Sequence, residues 1–284
     1  MKRIAITGGS GYFGSYAIKE FIDQGYEVIN IDTKSPRERC RTLYADLINP
    51  GEAYGALREA RPDAVINLAA IPVAYKYTDE MTIRTNILLT YNVLEAATAL
   101  GVKKIALASS DSSYGVVFSR TPILPVYLPI DEAHPQIPED PYGFSKLINE
   151  ETAKMFCRRT GAQIVCLRFV HISMPDSYAD LMKHNRELRH GSTAGSSKEI
   201  WNYVDARDAA RACRLAVEKD SLGYCAVNIV ADDTCMDIPS KELIAEYFPG
   251  IRDIRADMSG YSSLTSNRKA WELMGWKPQH SWRG

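Results

Sequence analysis

Through the first two-thirds of the chain, short apolar runs alternate with longer segments whose apolar residues recur every three or four positions. The runs at Arg3–Thr7, Glu27–Asp32, Ala64–Leu68, Lys104–Ala108 and Gln163–Phe169 are strand-length and lack the polar alternation of a half-exposed sheet. Between them, Tyr12–Gln24, Gly51–Arg61, Asp79–Leu100 and Pro141–Thr160 read as helices. This order predicts an α/β fold, a doubly wound parallel sheet covered on both faces. The proline-rich stretch Arg120 to Pro141 reads as an extended loop across the top of the sheet. After Phe169 the pattern loosens: His171 to Ser197 is polar and irregular, and Gly191 to Ser197 is expected to be mobile. A helix follows at Asp205–Lys219, a strand at Tyr224–Ile229, and helices at Ser240–Tyr247 and Ser266–Met274.

At 284 residues the chain is long enough for one large core with a small appendage. Its 34 Lys and Arg balance 35 Asp and Glu, so no basic face is implied and no nucleic-acid partner is expected. The longest apolar stretches, such as Asp63 to Ala70, fall short of a bilayer span, so no membrane partner is expected either. Met1-Lys2-Arg3 leads straight into the first strand without an apolar targeting segment. Six scattered cysteines suit a reducing environment, and the expectation is a cytoplasmic protein. The five histidines form no zinc-like cluster, and no metal site is expected.

The first chemical signal follows the run Ile4-Ala5-Ile6, where Thr7-Gly8-Gly9-Ser10-Gly11-Tyr12-Phe13-Gly14 joins strand to helix. Gly8 allows a tight turn, Gly11 lets backbone approach a pyrophosphate, and Gly14 allows close packing of helix on sheet. Tyr12 and Phe13 open that helix, whose N-terminus offers unpaired N–H groups and a positive dipole end. Asp32 closes the second strand, where a ribose hydroxyl is read. Together they predict a dinucleotide site.

The second signal is Tyr142-Gly143-Phe144-Ser145-Lys146. Tyr142 and Lys146 are four apart on a predicted helix and share one face. An ammonium there draws the phenol's pKa down towards neutrality, so the tyrosine can exchange a proton with a substrate hydroxyl. The run Ser109-Ser110-Asp111-Ser112-Ser113-Tyr114-Gly115 brings further hydroxyls to the same sheet edge.

With these motifs the chain resembles the extended short-chain dehydrogenases/reductases of the NAD-dependent epimerase/dehydratase family. The resemblance runs from Lys2 to about Asp220, more weakly through Gly275-Trp276-Lys277-Pro278, and the glycine motif is almost the form found in UDP-galactose 4-epimerases. It implies a Rossmann-type core with bound NAD. Residues 1–170 would form the NAD-binding core. Residues 171–284 would complete it near 203–230 and supply a small substrate-binding cap. The resemblance implies adenine contacts at Asp46 and Leu47, and cofactor contacts at Leu68, Ala69, Ala70 and Asn86. It makes Ser110 the residue orienting the reacting hydroxyl, Tyr142 the acid/base, and Lys146 the residue holding the ribose. Asp111 and Ser112 stand where dehydratases carry Asp and Glu, and Ser112 removes the elimination base. The family's habit of pairing two long helices implies a homodimer through Asp79–Leu100 and Pro141–Thr160, with Ile87, Val93, Leu94 and Ala97 as surplus apolar positions.

The chain departs from nucleotide-sugar enzymes around the cap. His171 replaces an Asn, Asp176 stands near where a basic residue would serve, and Ile200-Trp201-Asn202 lacks an Arg. Lys183, Arg186 and Arg189 have the spacing of a solvated helix face but remain possible phosphate contacts. The leading expectation is therefore NAD-dependent hydride transfer at a secondary carbinol of an underivatised sugar or sugar acid, as in uronate dehydrogenases. His171, Ser173, Trp201 and Asn202 would then contact substrate beside Ser110, Asp111 and Ser112. The alternatives are a nucleotide-sugar 4-epimerase and a non-catalytic NAD-sensing protein.

Overall fold

The computed structural model describes residues 2–119, 123–181 and 200–284. Its strands are β1 (Arg3–Thr7), β2 (Glu27–Asp32), β3 (Arg41–Tyr44), β4 (Ala64–Asn67), β5 (Lys104–Ser110), β6 (Gln163–Phe169), β7 (His171–Ser173), β8 (Tyr203–Asp205) and β9 (Tyr224–Ile229). Seven of them form one parallel sheet in the order β3–β2–β1–β4–β5–β6–β9. β7 and β8 make a separate parallel ladder, pairing His171 with Tyr203 and Ser173 with Asp205.

Side chains alternate across each strand and feed two cores. Ile4 and Ile6 point to the face covered by α1 (Tyr12–Asp23), α5 (Ala206–Glu218) and α7 (Arg268–Met274). Ala5 and Val65 point to the face covered by α2 (Pro50–Ala60), α3 (Asp79–Ala99) and α4 (Pro141–Thr160). A third cluster lies beyond the sheet, where Tyr114, Leu128, Ile130, Trp201 and Tyr203 pack with Leu243 of α6 (Ser240–Tyr247). No helix among the described residues is long and apolar enough to cross a membrane.

Differences from the sequence reading have local causes. β3 is a four-residue edge strand with exposed ends, too short and too polar to register as an apolar run. β5 continues two residues further than its apolar stretch because Ser109 and Ser110 pair with Arg168 and Phe169 of β6. Val93, Leu94 and Ala97, read as surplus for a second copy, are buried in the core of α3 against the sheet. The exposed apolar residues of α3 and α4 are instead Met81, Leu88, Tyr91 and Phe144.

The tail is tied down by Trp276, fully buried, whose Nε1 donates to the Asp208 carbonyl at 2.9 Å. The Asp208 carboxylate then accepts from the Gln279 and His280 backbone N–H groups at 2.8 Å each. We expect Trp276→Ala to cost about 3–5 kcal/mol in urea unfolding, through the lost ring and the cavity it leaves. A loss below about 1 kcal/mol would show that the tail contributes little to the core.

Candidate active site

The carboxyl ends of β1, β2, β4, β5 and β6 open into one cleft of about 980 Å³. At its floor the glycine turn has two kinds of constraint. A Cβ on Gly8, whose φ is +72°, would sit 2.6 Å from the Ala69 nitrogen, and one on Gly14 would sit 2.6 Å from the Gly8 carbonyl. The fold itself requires these two glycines. A Cβ on Gly11 meets only the Gly8 carbonyl, at 3.3 Å, so the space before it faces the cleft. Gly11 is also the N-cap of α1, and no side chain caps that helix, leaving its first turn to an anion. Asp32 lines the same end and holds the turn by accepting from the Ser10 and Lys34 backbone N–H groups at 3.0 and 3.2 Å. Tyr12, Phe13, Asp46, Leu47, Leu68, Ala69 and Ala70 continue the wall. This donor set fits a dinucleotide: an open anion site, a carboxylate at the ribose end and apolar walls.

Asn86 does not reach the cleft. It is fully buried and clamps Ile71, accepting from its N–H at 2.8 Å and donating to its carbonyl at 3.1 Å. Its second donor contact, to Ser145 Oγ at 3.1 Å, ties that loop to α4. The expectation of direct contact is corrected: Asn86 shapes the loop that carries Ala69 and Ala70.

At the opposite end α4 starts at Asp140, whose Oδ1 accepts from Gly143 N–H at 2.7 Å, with Pro141 in the first turn. The cap aims Tyr142 and Lys146 into the cleft. Lys146 Nζ donates to the Ala108 carbonyl at 2.8 Å and lies 5.4 Å from the centre of the Tyr142 ring. Ser110 ends β5 close enough to Tyr142 to lower its proton affinity. The Ser110 Oγ also lies 3.1 Å from Asp111 Oδ1 and 3.0 Å from Ser112 Oγ. Ser110, Asp111, Ser112, Tyr142 and Lys146 thus converge on one end of the cleft.

The electrostatics differ from expectation. Burial pushes the Tyr142 phenol well above its ordinary pKa, outweighing the opposing effect of Ser110, while Asp111 and Asp140 push it the same way. Burial also lowers Lys146, to about 8, against the opposing charge of Glu150. Desolvation prevails, so the phenol rests protonated.

Two charged residues that the sequence reading passed over support this end. Arg168 of β6 makes a two-pronged ion pair with Glu150 of α4, Nε to Oε1 at 2.9 Å and Nη2 to Oε2 at 2.7 Å, both groups buried. Ser109 Oγ donates to the same carboxylate at 2.6 Å. Their signal was present in the sequence, as an Arg inside an apolar strand and a Glu one turn beyond Lys146. Phe118, edge-on to Tyr142 at 6.1 Å, also lines the cleft, and no periodicity marked it.

Of the cap residues, His171 and Asn202 line the cleft. The Asn202 amide is already engaged, donating to Thr265 Oγ1 at 2.7 Å and accepting from Ser263 Oγ at 3.2 Å. Ser173 is fully buried and does not line the cleft, because its place in the β7–β8 ladder turns it into the protein. Trp201 packs its ring 5.0 Å from Tyr247 and 5.8 Å from Phe248, where a large apolar surface is better buried than exposed to a polar ligand. Both expectations of substrate contact are corrected. Lys183, Arg186, Arg189 and the stretch from Gly191 to Ser197 lie outside the described residues.

Residues 4–229 match the model of the NAD dependent epimerase/dehydratase family. A putative UDP-glucose 4-epimerase of Methanocaldococcus jannaschii is 30% identical, covering 97% of this chain and 93% of that protein. The UDP-glucose 4-epimerase of Lacticaseibacillus casei is 25% identical over 98% of this chain and 92% of its own length. Among solved structures, a UDP-glucose 4-epimerase from Brucella ovis in complex with NAD superposes with a TM-score of 0.76 at 22% identity, covering 99% of this chain and 94% of that one. The family match over most of the chain, with a relative of this identity along nearly all of it, shows that this chain belongs to the NAD dependent epimerase/dehydratase family, enzymes of the extended short-chain dehydrogenase/reductase type.

Proposed function

We propose that the protein is an NAD-dependent 4-epimerase acting on a nucleotide-linked sugar. The observation that carries this reading is the convergence of Ser110, Tyr142 and Lys146 at one end of the cleft that begins at the glycine turn. The relatives along the full chain are UDP-glucose 4-epimerases, which favours this alternative over the leading expectation of a free-sugar oxidoreductase. In our reading Gly11 and the α1 N-terminus hold the pyrophosphate and Asp32 accepts from the adenosine ribose, which favours NAD over a 2′-phosphorylated cofactor. Lys146 holds the nicotinamide ribose.

Bound NAD would supply the hydride acceptor. The chain's own part is proton management and exclusion of water. Ser110 orients the reacting hydroxyl against Tyr142, and Tyr142 Oη carries the proton. Phe118 closes the apolar side. The high proton affinity of Tyr142 suits it to return a proton when a ketone is reduced. Lys146 places a positive charge beside the phenol, which eases the opposite transfer.

One observation keeps the free-sugar reading in play. Among the described lining residues the cationic side chains are Lys34 and Arg37 at the Asp32 end and Lys146 at the catalytic end, with none from the cap to meet a substrate diphosphate. All six cysteines are free thiols, which suits the cytoplasm, where we place the enzyme. We also infer a homodimer: α3 and α4 pack side by side and expose Met81, Leu88, Tyr91 and Phe144 on one pair of helices.

Tyr142→Phe should lower kcat by about 10²–10⁴ and leave the NAD dissociation constant within about twofold. Wild-type turnover in that variant would remove Tyr142 from the chemistry. NMR of UDP-glucose incubated with the NAD-loaded protein should show UDP-galactose forming without net NADH. Stoichiometric NADH from glucose or glucuronate, with no change in the UDP-sugars, would instead establish the dehydrogenase. Light scattering at micromolar concentration should give twice the chain mass, falling to one chain on Leu88→Glu with Tyr91→Glu; a wild-type monomer would refute the dimer.

A further inference from the structure

Glu150 stands four residues after Lys146 on α4, fully buried, and its carboxylate is held by three different parts of the scaffold. Its Oε1 accepts from Ser109 Oγ of β5 at 2.6 Å and from Arg168 Nε of β6 at 2.9 Å. Its Oε2 accepts from Arg168 Nη2 at 2.7 Å and from Gln136 Nε2, in the loop before α4, at 3.3 Å. Ser109 is the residue before Ser110, and Lys146 is one helical turn from Glu150. One carboxylate therefore ties the strand bearing Ser110 to the helix bearing Tyr142 and Lys146. We propose that Glu150 is a positioning residue for the reaction: it fixes β5, β6 and α4 so that Ser110 meets Tyr142 and Lys146.

This rests on the reading of Ser110, Tyr142 and Lys146 given above. The groups facing Lys146 are Tyr142 and Glu150 on its own helix and Cys166 from β6, with Arg168 of β6 beyond Glu150. Asp111 lines the same end of the cleft, and α3 contributes the neutral Asn86 through Ser145. Burial drives Lys146 down to about 8, and Cys166 and then Glu150 oppose that drop. Losing the Glu150 charge moves Lys146 lower still, so a property that needs the ammonium fails at lower pH. Arg168 would remain charged beside it, acting in the same direction.

Glu150→Gln keeps the size and an acceptor oxygen but removes the charge. The wild type should lose both kcat and NAD affinity with a half-point near pH 8, affinity being read by fluorescence titration without substrate. In Glu150→Gln kcat should fall severalfold with KM nearly unchanged, and the half-points should move down rather than up. Ser109→Ala and Arg168→Lys keep the carboxylate charge, and both should lower kcat severalfold with KM and the half-points in place. Trp276→Phe serves as a destabilised control that leaves both half-points where they are. Wild-type kcat in folded Glu150→Gln overturns the proposal. Should that variant not fold, unchanged kcat in both Ser109→Ala and Arg168→Lys overturns it. Loss of turnover in Tyr142→Phe is judged separately, so a failed catalytic reading is distinguishable from a failed role for Glu150.

Discussion

The buried Arg168–Glu150 pair is the constraint on which the catalytic end of the cleft depends. Parallel strands are held side by side by their ladders, but nothing in a ladder fixes how a covering helix is rotated above them. Here β5, β6 and α4 meet at one carboxylate, with Arg168 supplying a planar fork that allows one orientation of the helix. Such a pair contributes little net stability, because desolvation offsets its attraction. Breaking it by removing one partner leaves a bare charge and typically costs about 3–5 kcal/mol. The pair therefore acts as a register device. Arg168 extends the same network to the Tyr114 hydroxyl at 2.9 Å, and Tyr114 donates to Asn228 Oδ1 of β9 at 2.7 Å, so the last strand is held to the same point.

Burial also sets the chemistry. The fold places a phenol and an ammonium side by side and buried, and desolvation works against the charged form of each. Spacing along a helix could reveal that the two groups are neighbours. It could not reveal which influence prevails, because that depends on how many other elements close over them. The same limit explains Asn86, whose position in the motif suggested a ligand contact. In three dimensions its amide is consumed by the Ile71 backbone.

What the chain discloses by itself follows period and turn chemistry. The alternating runs disclosed the central strands because each is buried on both faces. The glycine turn disclosed the cleft floor because Gly8 and Gly14 are required by backbone contacts with no room for a Cβ. The cap was less legible. Trp201 and Ser173 sit beside residues that do face the cleft, and only the β7–β8 ladder and the Trp201–Tyr247–Phe248 packing decide which way each points. Arg168 was visible as a charge inside an apolar strand and Glu150 as an acid one turn beyond Lys146, but the partnership joins residues 18 positions apart on different elements.

In the proposed function one cleft, from Gly11 to Tyr142, holds the cofactor with its reactive ring beside the phenol. A crystal structure of the protein with NAD tests it most directly. The pyrophosphate should lie against Gly11 and the start of α1, the adenosine ribose on Asp32, and the nicotinamide ribose on Lys146 with the ring beside Tyr142. A dinucleotide bound elsewhere, or with its nicotinamide turned away from Tyr142 and Ser110, would contradict it.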